Sequence, residues 1–381
     1  MLADNEDQAT TEVAEISPPQ TTKDTVMVGI SGGVDSSVAA LLLKERGYAV
    51  VGVTFWLWNY SGSPEYRGKN NACCSFDHAR LVADQLGIDH YRTDIGERFK
   101  REVFEPTVQD YLSGRTPNPC ALCNRYIRFD YVMNQAKQAG FDFFATGHHV
   151  RKAEEGDTYR LLRGKDGVKD QSYFLYSLGQ DELSQALFPI GDFRKEEIYG
   201  IARDHGLVSA EVAESQDLCF VSSSEDYRQV IEQVTGQKIE AGEFVDTEGN
   251  ILGKHQGLSN YTIGQRRGLG LETNEAMYVL TLDSENNRII VGPEEELYSE
   301  GLLARDCQWI SDPGPLRQKV QVKIRYQSPP FSATAENLGG KRIKVSFDRP
   351  QKAVTPGQIA VLYQGEEVLG GGTIHEPLGN H

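Results

Sequence analysis

Two stretches of this chain carry residue types and spacings that could do chemistry. The first is "GISGGVDSS", residues 29–37, in which Gly32 and Gly33 let the backbone approach a ligand closely while Ser31, Asp35, Ser36 and Ser37 crowd the start of a helical pattern. Backbone N–H groups and a helix N-terminus at such a turn favour a phosphate. The loop has neither the lysine of a Walker A motif nor the spacing of a dinucleotide fingerprint. The second stretch is "TPNPCALCN", residues 116–124, with Cys120 and Cys123 two residues apart. A CxxC is commonly half of a zinc site, but tetrahedral zinc needs a second pair, and the chain has no other CxxC and no HxxxH. A thioredoxin-type couple would open a helix after a strand and leave the glycine loop without a purpose. The remaining reading pairs one of these thiols with the distant Cys219 of "SQDLCF".

The elements that must position these groups alternate. "TVMVGI" reads as a buried strand before the glycine loop, "SSVAALLLKERGY" as a helix ending at Gly47, and "AVVGVTFWLW" as a second strand. "SFDHARLVADQLGI" follows as a helix with Ser75 as its cap, then the strand-like "DHYRTDI", the amphipathic "RYIRFDYVMNQAKQAG" and the strand-to-loop stretch "FDFFATGHH". This rhythm predicts an α/β fold with a doubly wound parallel sheet, whose ligands sit at the carboxyl ends of its strands. After about residue 225 the text turns glycine-rich, which suggests a small central domain. From about residue 300, "KVQVKIRYQ", "FSATAENL", "RIKVSFDRP" and "GQIAVLYQGEEVLGGGTI" read as the short strands of a small β-barrel or sandwich, with the barrel preferred. The boundaries expected are an acidic tail over 1–24, a catalytic domain over 25–226, the central domain over 227–299 and the barrel over 300–381.

Composition narrows the function. With 381 residues the chain can bury several cores, which argues against global disorder. Six cysteines without a signal peptide do not make a disulfide framework and point to a reducing cytoplasm. "VVGVTFWLW" stops far short of the roughly 20 apolar residues that span a bilayer, so no membrane partner is expected. The net charge of −16 speaks at first against nucleic acid, but its distribution is uneven. Residues 1–24 hold six acids and one base and read as disordered, whereas residues 302–381 hold ten Lys and Arg against seven Asp and Glu. A basic surface in that last segment is compatible with RNA. Cys307 falls on a strand pattern and reads as packing, and Cys73 and Cys74, just before a helix cap, read as structural.

The glycine loop resembles the SGGxDS loop of the ATP pyrophosphatases, which cleave ATP between its α- and β-phosphates. Together with "GRTPNPCALCNRYIRF", "ATGHHV", "LLRGKDGVKDQSYFLYSL", "SQDLCF", "HQGLSNYTIGQRRGLG" and "AVTPGQIAVLY", it closely resembles the bacterial tRNA 2-thiouridylases from about residue 26 to residue 373. The resemblance implies an adenine nucleotide alpha hydrolase-like catalytic domain and a defined reaction. ATP adenylates the C2 oxygen of the wobble uridine, and sulfur delivered by a persulfide donor protein then displaces AMP. It also implies Cys219 as the persulfide carrier and Cys123 as the nucleophile that resolves it through a transient disulfide.

Further roles follow from the same resemblance. ATP would be held by Gly29, Ile30, Ser31, Gly32, Gly33, Val34, Asp35 and Ser36, with Phe55 and Gly147 at the adenosine and Asp35 on Mg²⁺. Asn118, Pro119 and Cys120 would line the target base, and His148, Lys169, Asp170, Gln171, Arg325, Tyr326 and Gln358 would touch tRNA. No DNA partner is implied. One position departs from the better-known pattern "NPDxxCN": Cys120 stands where an acid is usual. Cys120, Cys123 and Cys219 would together offer three sulfurs, enough for a [4Fe–4S] cluster with one open iron, although the persulfide route needs only Cys123 and Cys219.

Overall fold

The computed structural model describes residues 12–56, 76–212, 240–273, 275–310 and 317–379. Cys73, Cys74 and Cys219 lie outside the described residues, as does Ser75. The chain forms two compact units. The first takes its described residues from 1–102, 122–172 and 180–225, and the second from 103–121, 173–179 and 226–381.

The first unit is built on five parallel strands: β1 (Thr25–Gly29), β2 (Ala49–Trp56), β3 (Asp89–Asp94), β4 (Phe143–Ala145) and, after the hairpin β5 (Val150–Glu155) and β6 (Thr158–Arg163), β7 (Ala186–Leu187). Their order is β3-β2-β1-β4-β7. The chain therefore winds outward to one side from β1 and returns to the other at β4, which makes the gap between β1 and β4 the switch point where such sheets bind ligands. Val26 and Val28 on β1 pack with Val38 and Leu41 of helix α1 (Val34–Glu45) and with Ile198 and Ala202 of the helix Lys195–Asp204. Helix α2 (Phe76–Leu86) adds Ala79, Val82 and Leu86 to that core.

One expectation is corrected here. The tail predicted to be disordered contains a turn of 3₁₀ helix at Val13–Glu15, with Val13 and Ile16 buried and the turn packed on the helix Met133–Gln138. Two apolar side chains three residues apart suffice to seat a short turn, and a reading dominated by the tail's charge passes over them.

The second unit holds two sheets. In the central one, β8 (Gly242–Val245), β9 (Ile251–His255), β10 (Tyr278–Asp283) and β11 (Arg288–Gly292) lie in the order β10-β11-β8-β9. Then β12 (Tyr298–Trp309), β13 (Arg317–Lys323), β14 (Phe331–Gly339), β15 (Arg342–Lys352), β16 (Ile359–Gln364) and β17 (Glu367–Leu378) form an antiparallel barrel, closed by pairing of β12 with β17. Closure removes the exposed edges that a sandwich of this size would carry. Alternate residues such as Val320, Val322, Ala333, Ala335, Ile343 and Val345 fill its interior.

Candidate functional site

In the first unit the chain leaves β1 at Gly29 and turns through Gly32, whose φ of +83° is open to glycine at no steric cost. Gly33 is the N-cap of α1, and Asp35 lies in its first turn. The loop hydroxyls close on themselves. Ser36 Oγ accepts from the Ser31 amide at 3.1 Å and donates to Gly33 O at 3.1 Å, and Ser37 Oγ donates to Gly33 O at 2.9 Å. The result is a preformed concave turn at the N-terminus of a twelve-residue helix, the arrangement that holds an anion. Ile30 is buried against β2, with its amide donating to Val53 O. Phe55 is on the carboxyl half of β2, and a Cβ on Gly29 would stand 3.5 Å from its ring.

The neighbouring strand end delivers Thr146, Gly147, His148 and His149. A Cβ on Gly147 would stand 2.6 Å from the Ser36 amide nitrogen and 2.7 Å from the Asp35 carbonyl carbon, so only glycine allows the β4 loop to seat against the start of α1. His149 then reaches Asp35, with Nε2 3.1 Å from Oδ1. From the opposite side Lys195 Nζ donates to both Asp35 oxygens at 2.8 and 2.7 Å. Burial would push the Asp35 carboxyl up, but the bond and charge of His149 and the charge and bonds of Lys195 outweigh it and hold the pKa below the usual carboxylate value.

Both partners of Asp35 are themselves held by one loop. Asp166 accepts from the Lys195 amide at 3.0 Å, and Gln171 exchanges two bonds with His149, its Oε1 accepting from the His149 amide at 2.8 Å and its own amide donating to His149 O at 3.1 Å. Asp170, 2% exposed, accepts from the amides of Gly164 and Ser172 and from Arg163 Nε. Asp170 and Gln171, expected at the tRNA, thus have their polar atoms engaged within the loop and toward the nucleotide turn. The Lys169 amide donates to Asp166 Oδ1. His148 is buried, with Nδ1 2.8 Å from Thr146 Oγ1.

In the second unit, Asn118 Oδ1 accepts from the Ala121 amide at 3.1 Å, so Asn118 and Pro119 begin the short helix Pro119–Leu122 as cap and first residue, and Cys120 rides on it. Cys123, which belongs to the first unit, opens the π-wound stretch Cys123–Val132. Gln358 Nε2 donates to Thr116 O at 3.0 Å and Pro117 O at 3.1 Å. Arg325 donates to Ala353 O and to Thr355 Oγ1 and braces a turn in which Ala353 has a φ of +55°. Tyr326 lies against Phe174 with ring centroids 4.5 Å apart and the ring planes tilted by 37°. Cys307 is buried, and burial pushes its thiol up to about 12, as suits a packing role.

As arranged, Asp35 does not fit a resident Mg²⁺ ligand, because the ion would have to displace Lys195 from both oxygens. No group of three or more His, Cys, Asp and Glu able to hold a metal occurs among the described residues, and the third thiol of the cluster expectation, Cys219, is not among them. Sequence reasoning missed Lys195, His149 and Asp166. A signal existed for the first: a lysine at the first position of a helix sits against the helix dipole and calls for a separate reason.

The family model described as the tRNA methyl transferase HUP domain matches residues 24–223, its PRC-barrel domain 228–293, and an aminomethyltransferase beta-barrel domain 299–374. The protein described as tRNA-specific 2-thiouridylase MnmA of Carboxydothermus hydrogenoformans is 46% identical over 93% of this chain and 98% of its own. That of Moorella thermoacetica is 47% identical over 91% and 98% respectively. Among solved structures, the U34-tRNA thiolase NcsA from Methanococcus maripaludis with its [4Fe-4S] cluster aligns at 18% identity over 59% of this chain and 75% of that one, with a TM-score of 0.32, which carries no argument. The end-to-end relatives, together with a phosphate-type turn at the switch point of a HUP sheet, decide the matter: the chain belongs to the tRNA-specific 2-thiouridylase family.

Proposed function

We propose that this enzyme is a tRNA-uridine 2-sulfurtransferase that adenylates the C2 oxygen of the wobble uridine and replaces it with sulfur. The observation that carries the reading is the serine- and glycine-lined turn at the start of α1, with the Asp35 and Lys195 pair beside it, in a chain matched almost end to end by 2-thiouridylases. The C2 carbonyl of uracil, flanked by two nitrogens, is a poor electrophile. Its oxygen attacks the α-phosphorus of ATP, pyrophosphate leaves, and the oxygen becomes part of an AMP leaving group.

In this reading the amides of residues 32–36 and the hydroxyls of Ser31 and Ser36 hold the phosphates, while Phe55 and Gly147 flank the adenosine. Lys195 is the cation nearest Asp35, ready to offset charge that builds on the phosphates. Mg²⁺ enters as the ATP complex, ligated mainly by phosphate oxygens. The terminal sulfur of a Cys219 persulfide, loaded by a donor protein, attacks C2 and expels AMP. The Cys123 thiolate then attacks Cys219 Sγ, which releases 2-thiouridine and leaves a Cys123 to Cys219 disulfide for an external thiol to reduce. Asn118, Pro119 and Cys120 form the base pocket, and His148, Lys169, Arg325 and Tyr326 belong to the tRNA-facing set, while Asp170 and Gln171 shape the loop that carries Lys169, and Gln358 holds the backbone of Thr116 and Pro117. No step is routed through a cluster. The domain division 25–226, 227–299 and 300–381 and a reducing cytoplasmic setting complete the proposal. Among the described residues no helix is long and apolar enough to cross a membrane.

Cys219→Ser tests it. The variant is expected to release pyrophosphate from ATP in the presence of tRNA yet to yield no 2-thiouridine by nucleoside mass analysis, since a hydroxyl cannot carry a persulfide. Thiolation by the purified variant, with a persulfide donor as sole sulfur source, would sink the assignment.

A further inference from the structure

The segment that presents Asn118, Pro119 and Cys120 is gripped from both sheets of its own unit. Arg115 is braced locally by Asp110, with Nε 2.7 Å from Oδ1. Gly114, at a φ of +69°, lies so close to β10 that a Cβ would stand 2.7 Å from Leu282 O. The Thr116 amide donates to Pro356 O at 2.9 Å. Gln358 Nε2 returns two bonds to the carbonyls of Thr116 and Pro117. Between those two barrel residues Gly357, at a φ of +93°, approaches so closely that a Cβ would sit 2.9 Å from Thr116 N and O. The turn is rooted in the barrel, because the Gly357 amide donates to Ile374 O at 2.9 Å and the Ile374 amide to Gln358 O at 2.7 Å.

We infer that the Pro356–Gln358 turn is a positioning device for the segment carrying the target-base residues, and that Gly357 and Gln358 act on the reaction through Thr116 and Pro117 rather than by touching RNA. The physical reason is that "RTPNP" has two prolines and no regular pairing of its own. Its backbone groups must be satisfied from outside, and the barrel turn supplies two donors and one acceptor. Because Asn118 caps the short helix immediately beyond, fixing Thr116 and Pro117 fixes the start of that helix and the direction in which Cys120 leaves it. The barrel thus contributes to the geometry of thiolation as well as to any RNA affinity. This inference rests on the reading that places the base against Asn118, Pro119 and Cys120.

Three variants test it: Gln358→Ala, Gln358→Glu, which keeps the size but loses both donor hydrogens, and Gly357→Ala, which adds no group able to reach RNA. Amide hydrogen exchange at Thr116 is expected to speed up by about tenfold or more in all three, since one or two hydrogen bonds of ordinary strength are lost. Single-turnover thiolation is expected to slow by about 10- to 100-fold while tRNA affinity stays within about twofold, as befits misplacement rather than lost binding. Unchanged Thr116 exchange overturns the device. So does a Gln358→Ala variant that loses tRNA affinity while Gly357→Ala behaves as wild type, which would make Gln358 a direct RNA contact. The exchange measurement needs no turnover, so it decides the device even if wild type fails to thiolate tRNA, a failure that would strike the proposed function instead.

Discussion

Replacing Lys195 by Met should strand the Asp35 carboxylate. Removing one partner of a buried pair costs about 3 to 5 kcal/mol. Here the Asp35 side chain keeps 26% exposure and its His149 bond, so about 2 kcal/mol is expected. The pH dependence has a definite sign. Asp35 has a folded pKa below its unfolded value of about 3.9, so its contribution is present above that value and is lost as pH falls through the lower folded one. Without Lys195, burial works against His149 alone and the pKa rises. The deficit of Lys195→Met should therefore be full at neutral pH and shrink below about pH 4. The assay is urea unfolding of the α/β unit at pH 7 for wild type, Lys195→Met, Asp35→Asn and the double variant. Because the double variant strands no charge, a coupling of about 2 kcal/mol is expected, and additivity within about 0.5 kcal/mol would refute the pairing. Pyrophosphate release should fall in both single variants and stay low in the double one, which separates the role at the phosphates from stability.

Gly147→Ala should weaken ATP binding by about tenfold or more, because its Cβ would force the β4 loop off the Asp35 and Ser36 backbone; calorimetric titration with a non-hydrolysable ATP analogue reads this, and wild-type affinity would contradict the packing. His90 is pushed down to about 4, first by burial and further by Arg80 against an opposing Asp84. The unfolded chain therefore binds the extra proton between about pH 6.5 and 4, so this contribution is full above about 6.5 and is lost as pH falls toward 4. His90→Gln should flatten the slope of unfolding free energy against pH in that window, and an unchanged slope would show that His90 is not its source.

The sequence by itself determined the local elements and the chemistry that depends on contiguous residues. Apolar runs of strand length alternating with helical spacing dictated the parallel sheet, and "SGGVDSS" between a strand and a helix could only be a tight turn with its amides at a helix N-terminus. The helix begun by Asn118 and Pro119 was likewise within reach of local rules, because a cap side chain and a proline at the first position act over three residues. What only the tertiary structure decided are pairings between residues far apart in the chain. Lys195 meets Asp35 across 160 positions, and Gln358 meets Thr116 across 242. No periodicity encodes such contacts, since each depends on where the sheet order and the barrel closure bring separate segments together. The same holds for Gly147 and Gly357. In sequence they are two glycines among 38, and their necessity appears only when another segment's backbone occupies the space a Cβ would need. Asp170 and Gln171 show another side of this: the family resemblance assigned them to the tRNA, and in the fold three converging hydrogen-bond donors engage the buried Asp170 within its loop while the bonds of Gln171 fasten His149 beside Asp35.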